Sequence, residues 1–379
     1  MVANPFNPNV LVGRQVELKQ VCAILAADGD LLLAGVPGSG RRRLVRQAAE
    51  MVGARVMQID CLRATHSQKL LALLAEEIGT TFADVWSSEV LQAVFTTQSL
   101  LWVSPDGAVQ WTDGEAADEW QVFQALLALP QAIAEALQCR VVIVFQNFPH
   151  LRTWDRGEVW ERYLRQDIQR QSQVSYALIA TIAESWIQHS DIQVMCLGPI
   201  PAEDVQTWLR AMTTAHGWDL DAAAIALFID AVQGNMGTAI AVLRRLWLDW
   251  IVTPAALSQP PDSTPKLADL SSQRGAIPLI SLEQMRHTLL LLVADLALTF
   301  EALLLLLPPS QVRVLESLAL DPTDTPHSRE YTQKHHLSRG GGLQGALASL
   351  QQKGLVYGAD YGYRIAIPLL ALWLKHRLV

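Results

Sequence analysis

Residues 35–43 read GVPGSGRRR, from Gly35 to Arg43. A phosphate-binding loop of pattern GxxxxGK(S/T) needs glycines so that backbone N–H groups can wrap phosphate oxygens, a lysine for the β and γ phosphates, and a hydroxyl for Mg²⁺. Gly35, Gly38 and Gly40 keep that spacing around Ser39, while Arg41 and Arg42 stand at the lysine and hydroxyl positions and Arg43 follows. The flanks fit the motif. Leu31-Leu32-Leu33-Ala34 is an apolar run suited to a buried parallel strand, and Leu44 to Val52 has helical spacing ending at Gly53. A helix N-terminus carries partial positive charge, so Arg41, Arg42, Arg43 and Arg46 crowd it unfavourably unless an anion sits there. A retained phosphate site is therefore expected; the competing reading is a structural turn with solvated arginines.

The other half of such a site is a buried strand ending in acids. Val141 to Phe145 is the best candidate, and it runs into Gln146 and Asn147. In working ATPases the first position is Asp, holding the Mg²⁺ shell, and the second is often Glu, orienting the attacking water. Amides at both places still form hydrogen bonds, but they offer a hard cation no charge and accept protons poorly.

Asn4-Pro5-Phe6, Val12-Gly13-Arg14 and Glu17-Leu18 resemble the P-F…VGR-x-x-E-L opening of AAA+ and STAND-type P-loop ATPases, especially the archaeal, origin-recognition-like group. The resemblance implies that Val12, Gly13 and Arg14 lie against an adenine. It also implies that Val174 to Thr181 is the sensor-1 strand with Thr181 as its polar tip. Leu197-Gly198-Pro199-Ile200 is similar to the passage into a helical lid, whose sensor-2 segment G-D-x-R corresponds to Gly234-Asn235-Met236-Gly237, with glycine at the arginine position. Lysine and hydroxyl, acid pair and lid arginine are thus replaced together. The expectation is a pseudo-ATPase with no catalytic residues and no metal ligands: ATP or ADP bound by the loop, Arg41 neutralising phosphate, and Mg²⁺ not required.

Composition bounds the rest. The 379 residues suffice for two or three domains, and a 50% hydrophobic content supplies their cores. A net charge of −8 with only 17% charged residues argues against a protein that coats nucleic acid, leaving room only for a local basic patch. Four cysteines without a CxxC pair indicate neither zinc nor a disulfide framework, and no basic-then-apolar leader opens the sequence; a cytoplasmic protein is expected. Leu289 to Leu307 is long enough to span a bilayer, but it contains Asp295 and Glu301 and ends at Pro308-Pro309, so it reads as a buried core helix or helix pair rather than a membrane segment.

The predicted organisation is an α/β P-loop NTPase domain with a parallel, AAA+-like sheet over residues 1–196. A hairpin insertion is expected near 99–112, with Trp102 and Trp111 pairing across it. A helical lid should follow over 197–252, then a flexible Pro- and Ser-rich linker at 253–281 and connecting helices at 282–307. Residues 308–379 resemble the winged helix-turn-helix that closes many archaeal-type ATPases, down to a terminal helix Pro368 to Leu374 similar to their D-P-L-x-x-x-W-L. Its recognition helix, Leu343 to Lys353, is apolar and carries three glutamines, so packing is preferred to base readout; Lys334 and Arg339 are the candidate duplex-DNA phosphate contacts. Function reads first as a noncatalytic AAA+/STAND-like regulator that assembles with protein partners or with its own copies. One version supplies Arg162, Arg165 or Arg170 to a neighbour's site. The alternatives are a DNA-binding AAA+ ATPase of replication or transposition type and a slow, noncanonical NTPase.

Overall fold

A computed structural model describes residues 6, 11–86, 93–95, 100–104, 107–111, 118–167, 172–183, 190–252, 278–337 and 341–378. The chain forms two compact units: one comprises Gln15–Gly35 and Arg41–Leu197, the other Met1–Arg14, Val36–Gly40 and Gly198–Val379.

The first unit is α/β. Its strands β1 (Leu31–Gly35), β2 (Ala54–Asp60), β5 (Arg140–Gln146), β6 (Val174–Ala180) and β7 (Gln193–Leu197) form a five-stranded sheet in the order β2-β5-β6-β1-β7. Every pairing is parallel; Leu33 lies beside Ile179 on one side and Met195 on the other. Interior parallel strands are covered on both faces, which is why β1 is apolar throughout and wholly buried. Helices α1 (Gln15–Ala26), α2 (Arg41–Met51), α3 (Ser67–Thr81), α4 (Glu119–Leu137) and α5 (Val159–Asp167) complete the unit. Capping fixes several starts: Asp118 accepts from Trp120 N–H at α4, and both oxygens of the buried Asp155 hold Val159 N–H and Glu161 N–H at α5. Parallel order brings the C-terminal ends of all five strands, Gly35, Asp60, Gln146, Ala180 and Leu197, to one edge of the sheet.

The insertion is a hairpin of β3 (Leu101–Val103) and β4 (Val109–Trp111). Gly107 turns it at φ +85°, a region that a side chain would strain. The expected tryptophan pair is corrected by the register. Leu101 faces Trp111 and Trp102 faces Gln110, so the two indoles fall on opposite faces of the ribbon.

The second unit is helical: α6 (Ala202–Ala215), α7 (Ala222–Val232), α8 (Met236–Leu246), α9 (Leu282–Leu305), α10 (Pro309–Leu320), α11 (Arg329–Lys334), α12 (Gly341–Gln352) and α13 (Pro368–Leu378). Phe6 sits fully buried in its core, edge-on to Trp218 at 6.2 Å. Residues 253–277 of the expected linker lie outside the described residues. At its end, β9 (Leu279–Ile280) pairs in parallel with β8 (Asp219–Leu220), and Ser281 and Gln284 close a capping box at α9. The winged portion has α10, α11 and α12 followed by a short hairpin in which Val356 bridges Ile365 and Tyr357 N–H donates to Arg364 O at 2.9 Å.

The reading of 289–307 as a buried core helix or pair is also corrected. α9 is one continuous helix, long and apolar enough to cross a membrane by length and composition. It buries only one face, through Met285, Thr288, Leu289, Val293 and Phe300. Each such apolar side chain contributes roughly 1.5–3 kcal/mol by burial.

Candidate nucleotide site and winged-helix surface

The glycine loop divides between the units, and each part has its own surroundings. In the helical unit, Gly38 and Gly40 adopt φ +86° and +91°, the positive values that let successive N–H groups line a concave, anion-binding backbone. Beside Gly40 a Cβ would meet nothing within 4 Å. At Gly38 a Cβ would fall 2.3 Å from Asn235 Oδ1, so glycine is obligatory there. Ser39 is 2% exposed, and its hydroxyl has no hydrogen-bond partner among the described residues. A buried orphan hydroxyl beside a positive-φ glycine suits an anion better than a closed turn.

Asn235 was read only as part of the lid segment, yet it organises this loop. It caps α8 by accepting from Thr238 N–H at 3.0 Å, while its amide donates to Pro37 O at 2.9 Å and Ala366 O at 3.3 Å. Gly237, where the family resemblance places an arginine, lies against the loop: a Cβ there would stand 3.4 Å from Gly38 Cα. Asparagine three residues before Thr238, ahead of an apolar helix, was the sequence signal for the cap. Its two long-range bonds had none.

The opening segment is in the same unit. Gly13, at φ +59°, is pressed on Ile200 and Asp204, and Val12 packs on the unit's core. Arg14 is buried and donates to Gly198 O and, at 3.5 Å, to Ser39 O. The winged hairpin joins them: Val36, Tyr357 and Ala366 form one buried cluster with Tyr361 packed against it, and a Cβ on Gly198 would strike the Tyr361 ring at 2.3 Å.

The remaining predicted residues gather in the α/β unit, at the C-terminal edge of the sheet. Arg41, the first residue of α2, donates to Ala180 O, next to the sensor-1 candidate Thr181. Burial, and then the neighbouring Arg42 charge, pull the Arg41 guanidinium down to about 10. It has no carboxylate partner among the described residues. Arg42 is exposed; Arg43 is half-buried, and burial followed by Arg46 lowers it against the opposing pull of Glu50. Gln146 is buried and donates to Gln58 Oε1 at 3.1 Å. Asn147 adopts φ +54°, a conformation asparagine tolerates better than most side chains, and donates to Asp60 Oδ1 at 2.9 Å. Gln58 and Asp60, the partners of the two amides, were not singled out from the sequence, because partners 88 and 87 residues away along the chain leave no local spacing signal; only the β2-β5 register, which sets Asp60 beside Gln146, brings them in. Among the described residues no three His, Cys, Asp or Glu side chains gather as a metal set.

Two of the predicted cations are engaged in ion pairs. Lys334 is an ion-pair partner of Asp321 at 2.6 Å, and His335 Nε2 meets the same oxygen at 3.1 Å, so Lys334 is engaged within the winged helix. Arg339 lies outside the described residues. Arg165 is held by Glu161, whose buried carboxylate also takes Arg152 at 2.6 Å. Burial pushes that carboxyl up, but the bonds from Arg152 and Arg165 outweigh it and leave it below the ordinary range. Arg165 thus anchors its own helix; Arg162 is exposed, and Arg170 lies outside the described residues.

Comparisons agree with this architecture. A family model described as a probable winged helix domain matches residues 298–376, beginning within α9. The Walker-type ATPase of Pyrococcus abyssi superposes with a TM-score of 0.61 at 15% identity, covering 96% of each chain. The ADP form of the Aeropyrum pernix ORC2 protein gives 0.53 at 13% identity, over 99% of this chain and 98% of that one. No curated protein matches the sequence. The fold is therefore that of P-loop NTPases of AAA+ type, a parallel five-stranded sheet with helices, and the chain ends in a winged helix; among the structures it resembles are a Walker-type ATPase and an archaeal ORC2 protein.

Proposed function

We propose that this chain is a catalytically impaired AAA+-like pseudo-ATPase that holds ATP or ADP without Mg²⁺-dependent hydrolysis and works as a regulatory or assembly subunit through protein partners. The observation that carries the reading is the sheet edge. Both positions that hold and activate in a working ATPase are amides, and each is already paired, Gln146 with Gln58 and Asn147 with Asp60. Nucleotide retention is supported by the positive-φ glycines, the orphan Ser39 hydroxyl and the half-buried Arg41 cation. The ADP-bound state of the Aeropyrum pernix neighbour is in keeping with an adenine nucleotide as the ligand. Calorimetric titration of ATP and ADP with and without Mg²⁺, beside a turnover assay, tests this. Binding should change by less than about threefold with Mg²⁺, under 1 kcal/mol, with turnover at background. A strong Mg²⁺ requirement, or turnover abolished by Arg41→Ala, would establish the slow NTPase instead.

A second reading, a DNA-binding AAA+ protein, is favoured by the winged-helix match over 298–376. Against it, Lys334 is paired with Asp321 and the wing residues Tyr357 and Ala366 are buried against Val36. Salt-sensitive duplex binding lost on replacing Lys334 and Arg339 would reverse the order of the two readings.

A further inference from the structure

Helix α9 turns a contiguous apolar face to solvent. Leu298 is 80% exposed and Leu305 87%, and Ala294 and Ala302 are exposed on the same side, opposite the buried Leu289, Val293 and Phe300. At about 100° per residue, Leu291, Ala294, Leu298, Ala302 and Leu305 fall within one narrow sector centred on Leu298. A solvent-facing helix side ordinarily carries polar residues, so this face is built for contact.

The order of residues says what covers it. From 290 to 306 the sequence is LLLVADLALTFEALLLL, which reads nearly the same outward in both directions from Leu298. Leu290 mirrors Leu306, Leu291 mirrors Leu305, Ala294 mirrors Ala302, and the acids Asp295 and Glu301 mirror each other. In an isologous interface residue i meets j and j meets i, so about a two-fold axis at Leu298 this order makes each contact one between side chains of the same kind. An antiparallel pair centred on Leu298 sets leucine against leucine and alanine against alanine along about 24 Å of helix. The geometry points to a second copy of this chain as the occupant, docked antiparallel through α9.

A lipid surface fits less well. The opposite side of α9 is buried in its own unit, and the exposed sector is flanked by Asp295 and Glu301 rather than by the basic residues that hold an amphipathic helix on anionic membranes. Asp295 is in addition tied to Arg245. Because acids flank an apolar seam, added salt should strengthen the pair.

Sedimentation equilibrium of the full chain across concentration tests the inference independently of nucleotide binding. Concentration-dependent dimers are expected, with Leu298→Glu weakening association at least about 100-fold while circular dichroism is unchanged, since the site is exposed and the mutation places two like charges on the axis. Cysteine crosslinking reads the orientation, with the exposed Cys196 replaced by serine. Leu298→Cys should crosslink to itself; Ala294→Cys should not, but should crosslink in a mixture with Ala302→Cys. A monomer at all concentrations, a dimer indifferent to Leu298→Glu, self-crosslinking at Ala294→Cys, or flotation with lipid vesicles in place of self-association would each overturn the proposal.

Discussion

Two groups of basic residues read alike in the sequence and are treated differently by the fold. At the head of α2, Arg41 is half-buried, with a backbone carbonyl as its acceptor and no carboxylate partner among the described residues. In the winged helix, Lys334 and His335 share Asp321, thirteen and fourteen residues away, and Lys353 reaches Gln311 and Ser349. The difference shows that a basic residue is an anion site only after the acids that fold back onto it are counted. A charge left without an opposite partner in a desolvated place retains capacity for a ligand, whereas a paired one is largely neutralised.

The largest effect belongs to an acid in the mirror situation. Asp30, just before β1, has no cationic partner among the described residues; burial pushes its carboxyl up to about 7, against the hydrogen bond it accepts from Tyr176 N–H at 2.8 Å. With the folded value above the ordinary 3.8, the stability it contributes is full below about pH 4 and is lost as pH rises through 7. Asp30→Asn, which keeps the acceptor, should raise stability at pH 8 by roughly 1–4 kcal/mol and change little at pH 4, as measured by denaturant melts. A pH-independent difference would show that Asp30 ionises freely and would break the rule.

Next in size is Arg41→Ala. Adenine nucleotide affinity should fall at least tenfold, about 1.4 kcal/mol, with Lys334→Ala changing it less than twofold. Equal losses at both positions would erase the distinction between the two groups. The smallest effect is expected at Asp321→Ala, which frees Lys334 and His335. The exposed pair contributes under about 1 kcal/mol to stability, yet weak, salt-sensitive polyanion binding should appear that the parent chain lacks. No gain would show that pairing was not what silenced this surface.

Local patterns carried most of the elements. The run Leu31 to Ala34, the apolar strand ending at Gln146, and the terminal helix beginning at Pro368 all lie where their periodicity and punctuation put them. Register was not legible: Trp102 and Trp111 frame a turn symmetrically in the sequence, and a one-residue offset separates their faces. Nor was burial in α9, since leucines around the whole helix give no sign of which side meets the core.

By itself, the sequence determined the strand-loop-helix with its glycines, the replacement of acids by Gln146 and Asn147, and the winged-helix end, because each depends on neighbours within one element. Only the tertiary structure decided that Asn235 bridges Pro37 and Ala366, that Asp321 takes up Lys334, and that the leucines from 290 to 306 divide between those half-buried against the core and those open to solvent. Those choices depend on which distant groups a fold brings within hydrogen-bond reach, and chain spacing does not encode that distance.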